Sequence, residues 1–180
     1  YEGMEGSLQD LRATWTQERL TPLYQGQDPL MAAYDINDMT FVAIDNSTYE
    51  IMPEQLAFVR AQLQRNRPVA LAAHIPFYAP GRPVGFGCGH PAWGAAADGG
   101  YELERRPRWP EDGHSETTYA FHRELVAADN LLAVMTGHTH QFFLDTLGQT
   151  PQFVTPANAY GGYLDFTFRN LEESDRVRFL

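Results

Sequence analysis

The sequence contains no lysine, and all 13 of its basic residues other than histidine are arginine. That excludes mechanisms built on a Schiff-base lysine or a P-loop lysine. Cysteine is nearly absent too: the single Cys88 rules out an internal disulfide and any cysteine-based zinc cage. One cysteine is compatible with the cytosol and does not exclude export. No apolar run approaches the ~20 residues of a membrane helix, and no basic-plus-apolar signal segment opens the chain. Positive charge is scarce, with 13 arginines against 23 acidic residues and a formal charge of −10. A nucleic-acid surface needs clustered cations, and the short cluster in ELERRPRWP sits among acids, as a solvated loop would. The reading is a soluble chain, cytoplasmic rather than exported, with neither membrane nor nucleic acid as partner.

What is present suits a packed core: 43% of the 180 residues are hydrophobic and 13% aromatic. This length fits one domain, residues 1–180, with no internal repeat and no linker. Ser7 is placed to cap a first helix with Leu8, Leu11 and Trp15 at helical spacing. LMAAYDINDMTFVAIDN reads as a hairpin turning at Asn37-Asp38. The spacing of Leu56, Val59 and Leu63 predicts a helix over 53–66, opened by Pro53. RPVALAAH then has the continuous apolar character of a strand buried on both faces. Residues 75–116 form a long Pro/Gly/aromatic loop, whose tryptophans and tyrosines argue that it packs on the body of the protein. A second helix, 117–130, carries Phe121, Leu125 and Ala128 on one stripe and leads to the strand LLAVMT. PQFVTPA, YLDFTFRN and RVRFL read as short antiparallel strands. The fold class is therefore α/β with a mixed sheet and flanking helices.

One grammar occurs twice: amphipathic helix, buried strand, histidine. The first copy ends at His74, and the second ends in Gly137-His138-Thr139-His140. Ligands of open α/β sheets bind beyond the carboxyl ends of strands, so parallel neighbouring strands would bring His74, His138 and His140 to one rim. Neutral imidazole is the commonest metal ligand. Gly137 is expected to supply the sharp bend after the strand. Each histidine taken alone is more often a hydrogen-bonded strand end; three at matched ends favour a metal.

ALAAHIPFY and VMTGHTHQ, with FVAIDNS and PEQLAFVRAQL upstream, are similar to the later motifs of calcineurin-like metallophosphoesterases. The resemblance runs from about residue 30 to residue 165. It implies the carboxyl-terminal half of an αββα sandwich and a dinuclear site of manganese, iron or zinc. His74 and His138 would share one ion, and His140 would bind the other. The implied reaction is hydrolysis of a phosphomonoester or phosphodiester. The early motifs of that family, Asp-x-His, Gly-Asp and Asn-His, do not occur here, and YEGMEGSLQDLRATW resembles the stretch just after the last of them. The expectation is an incomplete site whose amino-terminal half comes from the same gene or from a partner chain. Alternatives are a non-catalytic binding or oligomerisation module and a mononuclear histidine-only site.

Asp45, at the end of FVAID, could orient a ligand histidine, though a turn role is the expected one. His90 and His114 are expected as solvated loop residues, and His122 as a surface residue. Phe77, Tyr78 and Trp93 could wall a substrate cleft or anchor the loop. Arg82 is a candidate for phosphate. Asn158 and YGGY read as a turn near the site. Ser47 and Ser115 have no triad partners.

Overall fold

The computed structural model of the chain describes residues 27, 28, 30–94 and 113–167. The helix expected after Ser7, the ELERRPRWP cluster and the strand RVRFL lie outside them. Six strands form one sheet: β1 (Met31–Ile36), β2 (Met39–Ile44), β3 (Val69–Ala72), β4 (Leu131–Thr136), β5 (Phe143–Leu147) and β6 (Thr150–Val154). Their order is β1-β2-β3-β4-β6-β5. β2, β3, β4 and β6 are parallel, and the edges β1 and β5 pair antiparallel with their neighbours. The fold is mixed α/β, as the alternating patterns required.

The first hairpin turns where expected, with Asn37 in the left-handed region at φ 51°, a conformation asparagine tolerates better than most residues. Parallel β2, β3 and β4 need crossovers, which α1 (Pro53–Leu63) and α2 (Glu116–Ala127) provide. The two helices lie against each other, with Arg60 Nε donating to Glu124 Oε1 at 2.9 Å. They bury Val59, Phe121 and Leu125 in one core with Val42, Leu71 and Val134, which share a face of the sheet.

Both helices stop three residues short of their expected ends, at Leu63 rather than 66 and at Ala127 rather than 130. Past Leu63 the chain reaches Asn66 at φ 53°, and the Asn130 amide donates to Leu63 O at 2.9 Å and Arg67 O at 2.7 Å. The first of these bonds satisfies a carbonyl that a longer helix would have used. YLDFTFRN is not a strand over 163–167, its described part. Phe166 there packs edge-on against Phe153 of β6, 5.1 Å between ring centroids.

The long loop is tied down over 75–94. Phe77 and Cys88 form an isolated bridge, Tyr78 N donating to Cys88 O at 2.9 Å and Cys88 N to Pro76 O at 2.7 Å. Gln152, buried on β6, accepts from Phe77 N at 2.8 Å and donates to Phe77 O at 2.9 Å, completing both backbone bonds of that loop residue. Phe77 and Trp93 are buried, so they anchor the loop.

Candidate metal centre

The site is built at the carboxyl ends of three adjacent parallel strands. β2 is followed by Asp45-Asn46-Ser47-Thr48-Tyr49-Glu50, β3 by Ala73-His74, and β4 by Gly137-His138-Thr139-His140. Adjacency and direction are those the repeated grammar required, and the backbones behind the ladders stay joined. Ala73 N donates to Met135 O at 3.0 Å and Gly137 N to His74 O at 2.9 Å.

His74 Nε2 and His138 Nδ1 lie 3.3 Å apart, with the rings edge to face. His140 is close enough for its charge to depress the basicity of both. Burial, then His74 and His140, push the His138 pKa down to about 4. Partial desolvation lowers that of His74, against the opposing charge of Asp45. Both shifts favour the neutral ring, the form that donates a lone pair to a metal.

The bend does not fall where expected. Gly137 is not among the residues of positive φ; His138 and His140 are, at 67° and 59°. Thr139 N donates to Gly137 O at 2.8 Å across His138, which closes a γ-turn. Tyr49 too has positive φ, 62°. Of five non-glycine residues with positive φ among those described, three belong to this rim, and the other two are asparagines, Asn37 and Asn66. A bulky residue in that region costs on the order of 1–3 kcal/mol and persists where the surroundings impose it. The strain is therefore concentrated on residues of this rim.

Two of those supports were not singled out in the sequence. Asn46, wholly buried, accepts from His74 N at 2.9 Å and Ile75 N at 2.8 Å, and its amide donates to Ile75 O at 2.8 Å. It fixes the backbone that carries His74. The Tyr49 hydroxyl lies 2.5 Å from His138 Nε2 and donates to Gly85 O at 3.2 Å. The available signal was position: NSTYE comes directly after β2, at the same rim as the histidines.

Two imidazole nitrogens on one tetrahedral ion with bonds of ~2.0–2.1 Å would stand about 3.3 Å apart. The His74–His138 pair has that separation, through one nitrogen of each ring, and so fits two ligands of one ion. Among the described residues no three His, Cys, Asp or Glu side chains form a group that could hold a metal. Further ligands would have to come from elsewhere.

The other candidates resolve differently. Asp45 Oδ1 accepts from Ser47 N at 2.9 Å and Ser47 Oγ at 2.5 Å, a turn role, while its charge still reaches His74. His114 is no solvated loop residue: its side chain is 0% exposed and its Nδ1 lies 2.9 Å from Glu50 Oε1. It stacks on Trp93, which in turn stacks on Tyr49. His122 is half-buried, its Nε2 donating to Tyr78 O at 2.8 Å, because α2 turns this face toward the loop rather than to solvent. His90 is half-buried beside Tyr78 and accepts from Ala92 N at 3.0 Å. Arg82 Nε donates to Asp145 Oδ1 at 2.8 Å, with the guanidinium 4.0 Å from the Phe143 ring centroid, so a phosphate would compete with an existing ion pair. Ser115 caps α2, accepting from Thr118 N at 3.3 Å. Asn158 opens a 3-10 turn that closes at Gly161, φ 80°.

No family model matches the sequence, and no curated protein matches it. Solved structures do match, among them the "Putative 5'-Nucleotidase from Staphylococcus aureus in complex with alpha-ketoglutarate". The identity to it is 14% and the TM-score 0.36, over 73% of this chain and 24% of that one. This chain thus corresponds to about a quarter of that structure's length, and a likeness at this level says nothing of activity.

Proposed function

We propose that the chain carries one part of the metal site of a phosphoesterase that hydrolyses phosphomonoesters or phosphodiesters. His74 and His138 would hold one divalent ion and His140 a second, the ions being manganese, iron or zinc. The observation that supports this is the pair of imidazoles, with nitrogens 3.3 Å apart, just beyond the ends of adjacent parallel strands and both near His140. A metal at such a site supplies Lewis acidity and an activated water. The chain's own contribution is to hold the rings neutral and aimed, through the strained turn at His138 and the Asn46 bonds behind His74. The remaining ligands, a bridging carboxylate above all, would come from an amino-terminal half in the same gene or from a partner chain. The test is hydrolysis of p-nitrophenyl phosphate and its bis ester with excess manganese, by the chain and by its His138→Ala variant. Joining the missing half should restore turnover that the variant lacks. Equal rates from both proteins in the completed assembly would overturn the reading.

The alternative reading is a non-catalytic binding or oligomerisation module on this fold. That reading predicts no turnover in any assembly.

A further inference from the structure

The hydrogen bonds around Tyr49 determine which nitrogen of His138 carries the proton. Gly85 O can only accept, and the Tyr49 hydroxyl, 3.2 Å away, has one proton to give it. Once that proton is committed, the 2.5 Å contact between Tyr49 Oη and His138 Nε2 is bonded only if Nε2–H donates to the phenol oxygen. The neutral ring then keeps its lone pair on Nδ1, which accepts from His74 Nε2–H at 3.3 Å. The opposite arrangement, Tyr49 donating to Nε2, leaves two oxygens, of Tyr49 and Gly85, facing each other with no proton between them.

We infer that Tyr49 is a positioning residue: it relays from His138 to the Gly85 carbonyl and locks His138 as the Nε2–H tautomer, with Nδ1 unprotonated and accepting from His74. Metal-binding histidines usually donate their distal N–H to a carboxylate, a carbonyl or water. Here a tyrosine stands between the ring and the carbonyl. The backbone holds Tyr49 at φ 62° for this contact, with Tyr49 N donating to Asn46 O at 2.9 Å, and the phenol ring stacks on Trp93 at 4.6 Å. The tautomer belongs to the metal-free chain; its use in binding a metal rests on the functional reading above.

The experiment is ¹⁵N imidazole NMR of the metal-free full chain near neutral pH, with His138 assigned from a His138→Gln variant. The expected spectrum shows a protonated Nε2 and an unprotonated Nδ1. Tyr49→Phe, which keeps the stack on Trp93, should convert His138 to a mixture of tautomers. Where zinc affinity can be measured, the same change should lower it by ~10–100-fold. An Nδ1–H tautomer in the wild type, or an unchanged spectrum in Tyr49→Phe, overturns the assignment. If the variant does not fold, the wild-type spectrum alone decides. Adding Zn²⁺ to the wild type tests the metal reading separately. His74 and His138 signals that stay unmoved even in large excess of Zn²⁺ would sink that reading and leave the tautomer assignment standing.

Discussion

At the scale of single residues, the site depends on side chains that replace backbone partners. Asn46 satisfies three backbone groups where β3 has run out of neighbours, and the residue is wholly buried. Asn46→Ala should therefore cost at least about 3 kcal/mol, because three groups lose their partner and each buried group left unpaired costs roughly 1–3 kcal/mol. Urea unfolding measures this; an unchanged midpoint would mean that water enters and takes over the bonds. This residue also shows where reading the sequence stops. The three histidines announced themselves because a titratable ring after an apolar run has few cheap explanations. Asn46 and Tyr49 act on particular carbonyls and N–H groups, whose positions exist only once β2, β3 and β4 are paired. His114 was misplaced for the same reason: its burial depends on Glu50, 64 residues away in sequence.

At the scale of elements, periodicity was the legible signal. The apolar stripes of α1 and α2 and the continuous apolar runs of β3 and β4 arise from geometry at 3.6 and 2 residues per repeat. Helix ends lay beyond its reach, since Asn130 and Asn66 stop α1 through contacts outside the local pattern. The two kinds of contact between the helices should differ sharply in weight. Leu125 is wholly buried, so Leu125→Ala removes several methyl and methylene contacts and leaves a cavity. A loss of about 2–5 kcal/mol is expected. Arg60 and Glu124 form a solvent-exposed pair across the same helix interface. Arg60→Gln should move the unfolding midpoint far less than Leu125→Ala, and less still in high salt. Chemical denaturation of both variants at two salt concentrations checks the contrast. A costly, salt-insensitive Arg60→Gln would show that its aliphatic stem, not its charge, joins the helices.

At the scale of the whole molecule, Glu50 ties the histidine rim to the second crossover. Its carboxylate accepts from Ser115 N at 3.1 Å, Ser115 Oγ at 2.7 Å and Thr118 Oγ1 at 2.6 Å, and meets His114 Nδ1 at 2.9 Å. It also sits at the amino end of α2, where a negative charge is favoured. Burial alone would raise its pKa, yet His114 and the two hydroxyls outweigh burial and hold it below the usual carboxylate range. A carboxylate whose folded pKa is depressed stabilises the fold above its unfolded pKa, and that contribution is lost as pH falls through the folded value. Acid should therefore release α2 from the loop after β2, and with it the support under Tyr49. The chain's net charge of −10 complicates a single acid titration, because protonating surface carboxylates also relieves self-repulsion. Comparing wild type with Glu50→Gln cancels that shared effect. The variant should be less stable at neutral pH, and the gap should close as pH falls below the ordinary carboxylate pKa. Urea midpoints of both proteins across that range measure it. A gap that stays constant with pH would mean that Glu50 acts through the shape of its hydrogen bonds, which glutamine partly keeps, and not through its charge.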